Sequence, residues 1–277
     1  MNAGALARNG EIGARRAAAG SAREGAARAG LVARGVIYAL VGVLALRIAF
    51  GDSGRQADRG GALQEIASKP FGAALLWALG AGLVGMALWR LSEALFGAAG
   101  EDGGAAGKRL MSAARCVFYG FVAYSVLSFA AGSRGSGSSD KQSRDVTAKA
   151  LGVSGGQWIV GAVGVGLVVA GVWIAVRAVM RKYHKHLKLG EMSRRILGAV
   201  DTAGVGGGAA RGAVFTAAGA FAVRAAVDYE PDKAKGMDDT LRSFAGTPMG
   251  PWLLVCVAVG LVLFGLFSFA MARWRRV

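Results

Sequence analysis

A short phrase recurs three times along this chain. It reads Ala33-Arg34-Gly35-Val36-Ile37-Tyr38-Ala39, then Ala114-Arg115-Cys116-Val117-Phe118-Tyr119-Gly120, then Ala210-Arg211-Gly212-Ala213-Val214-Phe215-Thr216. Each copy opens a long apolar stretch, and each is followed by a loop and a second apolar stretch. About 20 apolar residues cross the roughly 30 Å hydrocarbon core of a bilayer. Six windows meet that length, near residues 29–50, 71–97, 110–132, 156–179, 209–228 and 250–272. The expected fold is an all-α integral membrane protein whose six transmembrane helices form three parallel helical-hairpin repeats.

Composition agrees: the chain is 54 per cent hydrophobic yet carries a net charge of +16, a pairing rare in soluble domains. The expected organisation is a flexible cytoplasmic tail over 1–25 with at most a nascent helix, and repeat 1 over 26–100. Repeat 2 covers 106–182, a basic amphipathic inner loop 183–205, and repeat 3 206–277. Residues 1–28 are rich in Ala, Gly and Arg and lack the apolar core of a secretory signal. The same bias suggests a bacterial source.

Lys and Arg counts orient the spans. With both termini inside, residues 1–34, 90–115, 177–211 and 273–277 hold 21 basic and 7 acidic residues, whereas 47–69, 134–149 and 224–242 hold 12 and 10. This places the protein in the cell (inner) membrane, multi-pass, with cytoplasmic termini. Two-span units keep one orientation, so three of them can close a pseudo-threefold ring.

The repeat extends beyond its opening phrase. Pro70-Phe71-Gly72 matches Pro248-Met249-Gly250, with Gly155-Gly156 in the middle copy. Before them, Leu63, Ile66 and Ala67 match Leu241, Phe244 and Ala245, a spacing that predicts a short helix at the outer interface. Each even span carries a Gly-x-x-x-x-Gly pair: Gly80 and Gly85, Gly166 and Gly171, Gly260 and Gly265. In this the chain resembles the bacterial "domain of unknown function" family numbered 1206, over essentially everything after residue 25. The resemblance implies the six-span architecture and brings no activity with it.

Small residues follow each first arginine on one helix face: Gly35, Ala39 and Gly42; Cys116, Gly120 and Ala123; Gly212, Thr216 and Gly219. Such faces serve close helix packing. An aromatic ring stands four positions after each arginine (Tyr38, Tyr119, Phe215), placed to stack on the guanidinium. In a threefold ring Arg34, Arg115 and Arg211 converge, making with those rings a candidate anion- or lipid-binding site; the plainer reading makes them snorkelling anchors. Arg47 and Arg224 follow thirteen residues later and Ser128 replaces them in the middle copy, while Arg90 with Glu93 can form a self-contained embedded pair.

The segment 177–195 carries seven basic residues, with Met180, Tyr183, Leu187, Met192 and Ile196 near helical spacing. It reads as a basic helix on the anionic lipids of the cytoplasmic leaflet, or as a solvated or partner-docking loop. His184 and His186 read as part of its solvated basic face, Cys116 and Cys256 as small apolar fillers. No catalytic constellation, cofactor fingerprint, metal-ligand set or nucleic-acid module is recognisable, so neither an enzyme nor a nucleic-acid binder is expected. Two functions remain in view. One is handling or transport of an anionic lipid or small anionic solute near the repeat junction. The other is a non-catalytic scaffold or accessory subunit that holds lipids or a partner membrane protein.

Overall fold

The backbone in hydrocarbon must satisfy its own hydrogen bonds, and the apolar runs do so as helices. The computed structural model describes residues 3–51, 56–97, 106–132, 139–246 and 250–275; in its first helix, side chains are described at Ser21 and from Glu24 onward. Among the described residues the long helices are α1 (Ala3–Ala49), α3 (Gly72–Phe96), α4 (Ala106–Ala130), α6 (Gly156–Val179), α7 (Arg194–Val227) and α9 (Gly250–Trp274). All six are long and apolar enough to cross a membrane, α1 from Glu24 onward. Three short helices, α2 (Arg59–Ala67), α5 (Ser139–Leu151) and α8 (Met237–Ala245), sit one per hairpin between its spans. The chain is a six-span, three-hairpin membrane protein.

Two expectations change. Helix α1 already begins at Ala3, where the sequence predicts a flexible tail with at most a nascent helix; the alanines and arginines of that segment are strong helix formers and offset its glycines. Residues 1 and 2 lie outside the described residues. The basic segment after α6 is not an amphipathic helix. Arg181 takes a left-handed conformation (φ 50°), 3₁₀ turns come next at His184–His186 and Leu189–Glu191, and α7 starts at Arg194. Leu187 and Tyr183 turn inward, whereas Met180 and Ile196 stay exposed. Leu187 is buried, the Lys188 N–H donates to the Trp274 carbonyl at 2.9 Å, and Tyr183 packs edge-on to Phe267. His184 is likewise engaged, with Nε2 2.5 Å from Asp201 Oδ1.

The long helices are arranged in a cyclic order. Each even span packs on the odd span of the next repeat: α3 on α4, α6 on α7, α9 on α1. Within hairpins α1 meets α3 and α7 meets α9, whereas α4 and α6 do not pack along each other. Helix α6 is accordingly the least buried of the six spans, at 17 per cent against 50 per cent for α9.

Two of the three cyclic seams are backbone against backbone. A methyl group at Gly265 would lie 2.8 Å from the Gly35 carbonyl oxygen and 2.8 Å from the Ala39 nitrogen. One at Gly171 would lie 2.6 Å from the Gly212 oxygen and 2.6 Å from the Thr216 nitrogen. These are equivalent positions, the residue after the arginine against the second glycine of the previous even span. Gly42 and Gly219 extend the same faces, against α9 and α6 respectively. The α3–α4 seam differs because Cys116 stands where the others carry glycine. Here side chains mesh, with Val122, Ala123 and Val126 against Leu76, Leu79 and Leu83. Gly120, expected on a packing face, has nothing within 4 Å of its Cβ position and makes no such contact.

The entry to each even span is equivalent in all three copies. Gly72, Gly156 and Gly250 each abut a carbonyl oxygen of the preceding short helix (Ile66, Ala150, Ala245), leaving no room for a side chain. Phe71 (φ 62°) and Gly155 (φ 77°) make the same left-handed turn. The glycine, more than the proline, is what the middle copy keeps; Pro248 and Met249 lie outside the described residues.

The short helices are stitched together at their N-termini. Asp58 caps α2 through Oδ1 to the Gly61 N–H (2.8 Å), and its Oδ2 accepts the Ser139 N–H that begins α5 (2.7 Å). Asp140 of α5 accepts the Asp239 N–H of α8 (3.1 Å), and Asp238 of α8 accepts the Ala57 N–H ahead of α2 (2.7 Å). The three buried carboxylates thus form a cyclic interlock, each capping the next helix around the ring. Burial, with Asp239, Asp238 and Asp58 nearby, pushes the Asp140 carboxyl from 3.8 up to about 6, against the lowering effect of its backbone hydrogen bond.

Two outcomes are expected. Gly265→Ala should cost about 1–3 kcal/mol by forcing α1 and α9 apart. Gly166→Ala, which meets nothing within 4 Å, should be neutral or stabilising by up to about 1 kcal/mol. Thermal midpoints of the purified variants decide this, and equal midpoints would remove the seam's special status. For Asp140 the folded state retains a proton that the unfolded chain releases between pH 3.8 and about 6. Its contribution is therefore full below that window and lost as pH rises through about 6. Asp140→Asn should flatten the fall in thermal midpoint between pH 3.8 and about 6; an unchanged slope would refute the assignment.

Candidate anion-binding site

A cavity of about 790 Å³ lies inside the ring, walled by α1, α4, α6 and α7 and covered by α5 and the segment leading into α8. Its walls are mainly apolar, and Arg34 and Arg211 enter it from α1 and α7. Arg34 stands fifteen residues before the end of α1 and Arg211 sixteen before the end of α7, about 22–24 Å from the cap end at 1.5 Å per residue. That distance is less than the roughly 30 Å thickness of a hydrocarbon core.

One ring holds the two charges in place. Phe264 of α9 sits 5.2 Å from the Arg34 guanidinium and 5.0 Å from that of Arg211. Arg34 Nε donates to Ser268 Oγ at 3.1 Å, and that hydroxyl donates to the Phe264 carbonyl at 2.9 Å. Arg211 Nε donates to the Tyr38 hydroxyl at 3.1 Å, while its guanidinium also lies over Phe215 (5.1 Å) and Tyr38 (5.6 Å). Among the described residues no carboxylate pairs with either arginine. Aromatic faces and hydroxyls orient a cation without neutralising it, so two positive charges face an apolar enclosure.

The aromatic residues of the repeated phrase do not all stack as the spacing predicts. Phe215 does lie under its own Arg211. Tyr38, however, serves Arg211 of the third repeat, and the Tyr119 hydroxyl meets Arg34 of the first. Each tyrosine is handed to the arginine of a neighbouring repeat around the ring. The third copy carries Phe215, which has no hydroxyl to hand on, and Arg115 has no phenolic partner from it. Arg115 is exposed, and its neighbours are electrostatic: Arg90, Tyr119, Glu93 and Arg211. The expected triad therefore closes as a pair, Arg34 with Arg211, with Arg115 at its edge.

Beside this pair, Arg90 and Glu93 form the expected buried bridge at 2.6 Å, and Ser112 Oγ donates to the same carboxylate oxygen at 3.4 Å. Trp89 is flanked by Arg90 at 4.1 Å and Arg275 at 4.7 Å. Arg275 also feels Arg34 and Arg115, so four guanidiniums (Arg34, Arg90, Arg115 and Arg275) and the Glu93 carboxylate gather at this end of the bundle. Arg47 and Arg224 lie in the last turns of α1 and α7, near Glu65 (3.9 Å) and Asp228 (3.6 Å), and line no part of the cavity. Exposed pairs of this kind contribute little.

At the cap end the cavity meets Arg59 and Lys235, which lie over Phe121 (5.7 Å) and Phe221 (4.1 Å). The carboxylate oxygens of Asp140, Asp238 and Asp239 lie within 4.8 Å of one another. Each of these groups already has a peptide N–H or guanidinium partner, including Asp238 with Arg242 at 2.8 Å and Asp239 with Arg144. Sequence reasoning missed Phe264, Ser268 and the aspartate interlock. The last left a signal, an aspartate opening each short helix in Ala57-Asp58-Arg59, Ser139-Asp140-Lys141 and Met237-Asp238-Asp239.

The family described as Domain of Unknown Function (DUF1206) matches this chain three times, over residues 29–97, 110–181 and 206–275. A relative, "Uncharacterized protein YxxB" of Bacillus subtilis (strain 168), is 30% identical over 243 residues, covering 87% of each chain. No solved structure matches.

Proposed function

The chain belongs to the DUF1206 family, and from the geometry of its cavity we propose that it is a non-catalytic anion-handling membrane protein. It holds the acidic group of a lipid or small solute between Arg34 and Arg211. The observation that carries this reading is that both guanidiniums face one cavity inside the helix ring with no carboxylate partner among the described residues. An arginine at mid-membrane costs about 2.5–3.5 kcal/mol on insertion scales. Two of them on a shared ring, further opposed by mutual repulsion, suit a site completed by a bound anion. The excess of Lys and Arg on the face that carries both termini supports a cytoplasmic position for that face in a cell membrane. The guanidinium cluster around Glu93 then raises the local concentration of anions at the cytoplasmic mouth.

Calorimetric titration of the purified protein in neutral detergent tests this, with phosphatidylglycerol, phosphatidylcholine and inorganic phosphate as probes. The anionic probes are expected to bind and to raise the thermal midpoint, and the zwitterionic lipid to bind weakly. Arg34→Gln or Arg211→Gln should weaken anion binding at least tenfold, about 1.4 kcal/mol, while the fold persists. Equal binding by the folded glutamine variants would overturn the site, as would a wild-type protein that binds no anion.

A further inference from the structure

Resting on that reading, we infer that the anion is the head group of a bilayer phospholipid, which enters the cavity sideways between α4 and α6. The two helices of the middle hairpin stand apart, whereas α1 with α3 and α7 with α9 are packed. The Cβ position of Gly166 on α6 meets nothing within 4 Å, whereas that of Gly260, its equivalent on α9, meets Ala210 of α7 and closes the third hairpin. The opening is therefore specific to one hairpin of three.

The walls beside this gap suit an acyl chain. Phe118 and Phe121 from α4 and Ile159 and Val163 from α6 line the cavity, and each is more than half exposed. Leu167 and Val122 continue the surface inward. A small hydrated anion gains nothing from such walls, whereas an alkyl chain is stabilised by each methylene it buries on them. Charge is confined to the ends, Arg34 and Arg211 at one and Arg59, Lys235 and the carboxylate of Asp145 at the other. The arginine pair lies on the inner side of the core, within reach of an inner-leaflet phosphate drawn below its usual plane. From there the cavity runs toward the cap, parallel to lipid chains. The aspartate interlock covers the far end, so the side of the bundle is the path along which the acyl chains stay in apolar surroundings while the phosphate moves toward the arginine pair.

Filling the gap tests the lipid route separately from the arginine site. In Val163→Trp, phosphatidylglycerol affinity is expected to fall at least tenfold, with inorganic phosphate affinity kept within twofold and the thermal midpoint maintained. A folded Val163→Trp that binds phosphatidylglycerol as wild type does would overturn the portal. So would a wild-type protein that binds inorganic phosphate but no phosphatidylglycerol, an outcome that leaves the arginine site standing. Binding of neither probe by wild type would sink both readings. Photocrosslinking gives a second measurement that needs no bulky substitution, with a photoreactive phenylalanine analogue at Phe121 in vesicles of one part phosphatidylglycerol to nine of phosphatidylcholine. Adducts at Phe121 should be enriched at least threefold in phosphatidylglycerol relative to adducts at Trp173, which lies outside the cavity. Equal composition at the two positions would refute a selective portal.

Discussion

The close approach of backbones at Gly35–Gly265 and Gly212–Gly171 governs how the rest of this ring is built. Apolar side chains gain no hydrophobic free energy by meeting each other in lipid, so helix association there depends on close van der Waals fit. Two seams of one geometry bind repeat 3 to repeat 1 and repeat 2 to repeat 3. They also fix where the arginines stand, because Arg34 and Arg211 immediately precede the seam glycines. A residue adjacent to a tight seam has little freedom to rotate around its helix. The seam that holds α1 on α9 therefore also sets Arg34 against Phe264 and Ser268.

The third seam lacks this backbone contact. Cys116 in place of glycine keeps α4 from the same approach to α3, and side-chain meshing replaces it. Among the long helices α4 packs on α3 and α6 on α7, with α5 also against α6, and the two spans of the middle hairpin do not pack along each other. The cavity and its lateral gap are thus consequences of sequence divergence in one copy, with the other two copies supplying rigidity and the charged pair.

The sequence shows the hairpin count, the six spans, the seam glycines and the Arg90–Glu93 bridge, because each is local or periodic. It also marks Arg34 and Arg211, since a charge inside an apolar run is conspicuous. It does not show which ring meets which arginine. The four-residue spacing puts Tyr38 near Arg34, yet Tyr38 bonds Arg211 because the ring brings α7 against that face of α1. Phe264 and Ser268 were illegible for the same reason: an unremarkable phenylalanine and serine acquire a role only from the cyclic order of helices. The basic segment after α6 misled in the opposite direction. Its apolar residues have near-helical spacing, but Leu187 and Tyr183 find partners in the bundle, which overrides local periodicity.

The aspartate interlock explains how a ring with one unpacked hairpin can hold together. Removing the α4–α6 contact leaves the middle repeat attached through its outer flanks, and α6 contributes few residues to any core. A further tie is needed at the cap end, and the interlock supplies one in each direction around the ring. Asp58 holds the start of α5 to α2, and Asp140 holds the start of α8 to α5. These bonds to helix N-termini are shielded from water by burial, whereas the exposed ion pairs around them contribute little. The middle repeat is thereby fixed at its cap while its spans remain apart. Opening at the side and closure at the top coexist because the middle repeat is held at its flanks, by the α6–α7 glycine seam and the α3–α4 side-chain mesh, and at its cap by carboxylates.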